Sequence, residues 1–178
     1  MEYILIRSKR KTLGLCVDEK GLTVRAPYSL SKTEIEKIIN ARKGWIDKQM
    51  KQVKKEKELI PFTDEELELL KILANEYIPQ RVSYYAHLMG VKYEKISIRT
   101  QKSKWGSCTS KGNLSFNCLL MMMPVEVIDS IVVHELCHLK VMNHSKDFYK
   151  EVYTVYPEYN IWDKWLKENG KDIIARLK

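Results

Sequence analysis

Val125-Glu126-Val127-Ile128-Asp129-Ser130-Ile131-Val132-Val133-His134-Glu135-Leu136-Cys137-His138 is the stretch on which the reading of this chain turns. Pro124 precedes it, and proline suits a helix's first turn, where its missing N–H has no intrahelical partner to lose. The stretch predicts a mostly buried helix from about Val125 to Met142. Three of the four histidines lie between His134 and His144. Ionisable groups in an apolar helix are costly unless something satisfies them. Residues four apart share a helix face, so His134 and His138 can aim at one point. Glu135 is offset by about 100° and stays near that point without being forced to ligate. H-E-x-x-H is the spacing of a zinc site with the glutamate as general base. His144 is the expected third ligand, swung back by a left-handed Asn143 that ends the helix. Glu151 and Glu158 are the weaker alternatives. Three protein ligands leave a position open, as a catalytic site requires. The competing reading, a helix with ordinary surface histidines, leaves the polar trio unexplained.

A length of 178 residues suits one compact domain, or one domain with a small appended lobe. With 44% hydrophobic and 30% charged residues, the composition is that of an ordinary globular protein. No apolar run reaches membrane-spanning length, so no membrane partner is expected. The N-terminus is charged too early for a signal peptide. Cys16, Cys108, Cys118 and Cys137 form no C-x-x-C pair, which fits free thiols in a reducing compartment. A cytoplasmic location is the resulting expectation. The net charge of +8 is uneven. Residues 1–60 hold 15 Lys/Arg against 8 Asp/Glu, and the remainder 16 against 15. Such asymmetry admits nucleic acid or a nucleotide as a partner of the N-terminal region, although a solvated basic face is the commoner cause.

Residues 2–26 predict three strands in a small antiparallel sheet, with Gly21 at a hairpin-like turn and Pro27 ending it. Ser31 and Glu34 make a capping box. The helix it opens should run to about Glu58, with Ile35, Ile38, Ile39, Trp45, Ile46 and Val53 as its apolar stripe and Trp45 in the core. Thr63 and Glu66 make a second capping box. The helix after it should kink or split at Pro79 and stop at Gly90. His87, near its end, reads as packing rather than as a ligand. The boundary between lobe and catalytic domain falls near residue 60, giving domains 1–60 and 61–178.

Two alternating segments, Tyr93–Thr100 and Asn113–Leu119, predict a hairpin just before the histidine helix. Between them lie Trp105, Gly106, Ser107 and Cys108. A strand edge beside a metal site can hold an extended peptide by main-chain hydrogen bonds, so these four are the candidate substrate-binding residues. A packed bulge at Gly106 is compatible with that role. Ser145 should cap a helix over 146–153 with Phe148 inward, and Trp162, Trp165 and Leu166 mark a last helix ending near Gly170. Tyr153, Tyr156 and Tyr159 are hydroxyls available to steady an oxyanion, and nothing local chooses among them.

His134-Glu135-Leu136-Cys137-His138-Leu139-Lys140, Asn143-His144-Ser145, Phe148 and Lys104-Trp105-Gly106-Ser107-Cys108 together resemble the YgjP-like metallopeptidase domain, a family similar to the SprT-like zinc proteases. The likeness extends to Arg7-Ser8-Lys9-Arg10 and Val24-Arg25-Ala26-Pro27. Val141 stands where metzincins have a central glycine, which sets the chain apart from them. The resemblance implies a zincin-like α+β catalytic domain, Zn2+ on His134, His138 and His144, and Glu135 as catalytic acid and base. The expected activity is a zinc-dependent hydrolase, foremost a metallopeptidase acting on peptides or proteins. The alternatives are a metal-dependent nucleoside triphosphate pyrophosphatase and a nucleic-acid-associated module with a basic N-terminal lobe.

Overall fold

β3 (Gly21–Pro27) is the most buried strand of the N-terminal part, and its inward Leu22, Val24 and Ala26 are essentially inaccessible. It therefore takes the centre of a three-stranded sheet. β2 (Gly14–Asp18) pairs with it antiparallel through the tight turn ending at Gly21, whose φ is 102°. β1 (Ile4–Ser8) takes the other side and pairs parallel. The sheet is thus mixed rather than wholly antiparallel. A parallel pair needs a long crossover, and residues 9–20, which contain β2, supply it. Arg7 secures the crossing by donating through Nη1 to the carbonyls of Pro27 and Leu30 at 2.9 and 2.7 Å.

The computed structural model describes residues 2–177, without the side chains of residues 55–57. Met1 and Lys178, the outer ends of the two expected domains, lie outside the described residues. The chain divides into two compact units, Met1–Leu59 and Ile60–Lys178. Among the described residues no helix is long and apolar enough to cross a membrane.

In the first unit the expected capping box is present, Ser31 N–H donating to Glu34 Oε2 at 2.8 Å and Glu34 N–H to Ser31 Oγ at 3.2 Å. The helix it opens is two helices, α1 (Lys32–Ala41) and α2 (Lys43–Glu58), separated at Arg42. There the N–H is shared between the carbonyls of Ile38 and Ile39, both at 3.1 Å. The break resets the helical phase, so Ile46 rather than Trp45 meets Ile35, Ile39 and β3. Trp45, expected in the core, is 42% exposed.

The second unit begins with α3 (Asp64–Met89), capped by the Thr63–Glu66 box and stopped by Gly90 at φ 64°. It runs through Pro79 without the expected split. Buried Leu70, Ala74, Ile78, Val82, Tyr85 and Met89 flank the proline on both sides, and their packing outweighs one missing hydrogen bond. β4 (Lys95–Arg99), β5 (Gly106–Cys108) and β6 (Asn113–Asn117) form a sheet of order β4-β6-β5. The predicted hairpin of the two long segments does not form. β6 pairs antiparallel with the short β5 and parallel with β4. The apolar Leu114 and Phe116 put β6 at the centre, and residues 100–112 make the crossover. Both sheets therefore share one topology, with the last strand in the middle.

A 3-10 turn (Cys118–Met122) leads to α4 (Val125–Cys137), followed by α5 (Lys146–Val155) and α6 (Tyr159–Ala175). α4 ends at Cys137 rather than near Met142, and tight bonds from Leu139, Lys140 and Val141 N–H back to Leu136 and Cys137 carbonyls wind up the chain. α6 continues past Gly170, which is a packing site rather than a stop. A Cβ there would meet the Trp105 ring at 2.9 Å. The unit is a mixed α+β fold, with the histidine helix beside a small sheet.

Candidate active site

α4 is buried almost all round, from Val127 to Val133 and again from Glu135 to Cys137. Its rotation is set by Asp129, which is 7% exposed. Arg81 of α3 donates to both carboxylate oxygens, Nε to Oδ1 at 2.7 Å and Nη2 to Oδ2 at 2.6 Å, and Tyr85 Oη donates to Oδ2 at 3.2 Å. A two-pronged Arg–carboxylate contact fixes orientation as well as distance. With α4 so turned, His134 and Glu135 line one cleft, and the His138 ring lies 4.9 Å from that of His134.

His144 reaches the same cleft from the loop before α5. The turn that brings it there begins at Cys137, and no described non-glycine residue has positive φ, so the left-handed Asn143 is replaced by that earlier turn. The ligand nitrogens of His134, His138 and His144 all lie within 4.8 Å of one another. Phe148, fully buried and placed by the Ser145 cap, is the floor beneath them. Its ring centroid is 4.5 Å from that of His138 and 4.9 Å from those of His134 and His144.

The donor set fits a metal ion. His138 Nδ1 is 3.2 Å from the Val141 carbonyl, which can only accept, so that nitrogen carries the proton and Nε2 keeps its lone pair. His134 Nδ1 is hydrogen-bonded to the Tyr159 hydroxyl at 2.9 Å. The Nε2 atoms of His134 and His144 face each other at 3.0 Å. Two such nitrogens need a proton or a cation between them. Burial pushes the His134 pKa down to about 4, helped by the two other imidazoles, and lowers that of His138. Neutral imidazoles are the form that ligates.

Glu135 is 6% exposed. Burial pushes its pKa up to about 8, with Lys104 pulling the other way. It sits under β5. A Cβ on Gly106 would lie 2.5 Å from Glu135 Oε1, so only glycine lets the strand come this close. β5 is an edge strand, paired to β6 alone among the described strands. Trp105 packs on α6 at Gly170, and Gly106, Ser107 and Cys108 form β5 itself. Burial, then Glu135, pushes the Cys108 thiol up to about 11, which makes it a poor nucleophile. A cavity of about 230 Å³ opens beside His134 and Glu135, walled by Trp105, Ile131, Tyr159, Asp163 and Leu166.

The weaker candidates lie elsewhere. Glu151 pairs with Lys140 at 2.9 Å, Glu158 is exposed at the start of α6, and His87 is exposed near the end of α3. Tyr153 Oη donates to Asn160 Oδ1 and Tyr156 Oη to the Glu126 carbonyl. Sequence leaves Tyr159 as one hydroxyl of three, and it places Phe148 inward and in the family motif without marking it as the floor of the imidazoles. Asn117 escapes sequence reasoning. Asn117 is wholly buried and ties the loop before β5 by donating to the carbonyls of Gln101 and Lys104. A lone Asn after an alternating strand carries no local signal of that task.

The model of the YgjP-like, metallopeptidase domain matches residues 11–73 and 63–169 of the chain. No curated protein matches it. Among solved structures, the metallopeptidase zymogen of Pyrococcus abyssi abylysin is 23% identical with a TM-score of 0.47, over 53% of this chain and 96% of that one. The metallopeptidase zymogen of Methanocaldococcus jannaschii jannalysin is 21% identical with a TM-score of 0.47, over 52% of this chain and 96% of that one.

Proposed function

The chain belongs to the YgjP-like metallopeptidase family, and on that premise we propose a zinc-dependent peptidase whose metal is held by His134, His138 and His144 and whose general base is Glu135. The observation that carries this reading is the meeting of three imidazoles within 4.8 Å beside a buried carboxylate. The metal chosen is zinc because an all-imidazole set with an open position suits it. When bound, the ion supplies Lewis acidity, which polarises a carbonyl and acidifies water.

The chain's own residues do the rest. Glu135 accepts a proton from the attacking water on its carboxylate and delivers it to the departing amine nitrogen. A cation on the imidazoles would favour the ionised form of Glu135, the form that accepts a proton. The free edge of β5 pairs with an extended peptide and sets the scissile bond over the cleft. Trp105 anchors that edge on α6, Gly106 admits it close to Glu135, and Ser107 and Cys108 complete it. The cavity beside His134 receives a neighbouring side chain.

Metal content and turnover of a peptide mixture, measured together, test the reading. Wild type should hold about one zinc per chain. Glu135→Gln should keep the metal and lose turnover by about 10²–10⁴-fold, whereas His144→Ala should lose the metal. Full turnover in Glu135→Gln would remove the base assignment. Hydrolysis of nucleoside triphosphates with no peptide cleaved would move the activity to the pyrophosphatase alternative.

A further inference from the structure

We propose that Tyr159 is the positioning residue of His134, its hydroxyl oxygen accepting the Nδ1 proton and so fixing the tautomer that leaves Nε2 free for the metal. The proposal rests on the metal-site reading above and deepens it. Both histidines of the helix have a partner on Nδ1, the Val141 carbonyl for His138 and the Tyr159 hydroxyl for His134. They differ in kind. A carbonyl can only accept, so His138 has one tautomer. A hydroxyl can accept or donate, so His134 has two.

The Nε2 atoms of His134 and His144 lie 3.0 Å apart, a spacing that a cation or a proton must fill. If His134 carries the proton there, Tyr159 donates to the bare Nδ1. When a cation takes Nε2, the single proton of the neutral ring belongs on Nδ1, and the same hydroxyl rotates to accept it. The ligated ring is the stronger Nδ1–H donor, so the Tyr159 bond favours the tautomer that frees Nε2 for the metal. The residue is well held for this, being 7% exposed, at the first turn of α6, with its ring within 19° of parallel to the imidazole. The neighbouring tyrosines are engaged elsewhere, and among the described residues the Tyr159 hydroxyl is hydrogen-bonded to His134. That commitment argues against the oxyanion role that sequence alone leaves open.

The test is zinc competition between the protein and a chromophoric chelator at fixed pH, for wild type, Tyr159→Phe and Tyr153→Phe. Outer partners of ligating histidines typically change metal affinity about 10–100-fold, and that loss is expected in Tyr159→Phe and not in Tyr153→Phe. Long-range ¹H–¹⁵N correlation spectra of the zinc-loaded wild type should place the His134 proton on Nδ1, slow to exchange. That measurement needs no variant to fold. A proton on another atom, or unchanged zinc affinity in a folded Tyr159→Phe, overturns the proposal and leaves the metal site standing. Turnover lost at unchanged affinity likewise overturns it and puts Tyr159 at the reacting atoms. Wild type that takes up no zinc removes both this inference and the reading beneath it.

Discussion

Burial holds the Glu135 carboxyl up to about 8 in the metal-free protein, while an unfolded glutamate titrates near 4.5. The folded state then binds the extra proton, so its contribution is full below the unfolded value and is lost as pH rises through the folded one. Metal-free wild type should therefore lose about 2–3 kcal/mol between pH 6 and 8, at 1.36 kcal/mol per unit. Glu135→Gln should not, and parallel urea titrations at the two pH values would check it. Equal slopes in the two proteins would mean that Glu135 is not the titrating group. Gly106 is a second single-atom constraint. Gly106→Ala places a methyl 2.5 Å from Glu135 Oε1, and a buried carboxylate has little room to retreat. Displacing a reacting group by this much typically costs about 100-fold in rate, so turnover should fall to that degree while zinc content stays at the wild-type level. At this scale the placement of His134, Glu135 and His138 along one helix was legible from four-residue spacing alone, because a helix makes local sequence into local geometry. Tyr159 was not, because it meets His134 from another helix, and no spacing rule links positions that only packing brings together.

Elements were legible where their signals are local. Both capping boxes and the Gly90 stop stand where their residues predict them. Strand pairing was not, since it is settled by which strand is most apolar. β6 and β3 win the centres of their sheets, and the three-residue β5, too short to alternate visibly, becomes the edge that matters for the site. The Arg42 break and the unbroken helix at Pro79 are likewise decisions of packing over propensity. The orientation of α4 depends on one such non-local contact. Asp129→Ala would leave the Arg81 guanidinium, 28% exposed, without its carboxylate. Removing one partner of a largely buried pair typically costs about 3–5 kcal/mol, with the lower end expected here because water still reaches Arg81. Urea unfolding of the metal-free variant should show that loss as a lower midpoint at an unchanged slope. An unaltered midpoint would mean that apolar packing alone holds α4 in place.

The whole molecule carries two separate cores. One gathers Leu22, Val24, Ala26, Ile35, Ile39 and Ile46, and the other runs from Leu70 to Tyr159, in the unit that also holds every residue of the proposed metal site. A ligand that binds only the native form of one core stabilises that core by mass action, about 2.7 kcal/mol at 100 times its dissociation constant. The basic excess of residues 1–60 and the proposed metal chemistry thus belong to different compact units. Hydrogen exchange on the intact chain, with zinc and then with a chelator, separates them. Metal removal should raise exchange in α4, in the loop from Leu139 to Ser145 and at the start of α6, because these hold the three imidazoles and Tyr159. Amides of β3 and α1 should exchange as before. Equal loss of protection in both units would show that they unfold as one, and the metal would then be a determinant of the whole fold rather than of the catalytic unit alone.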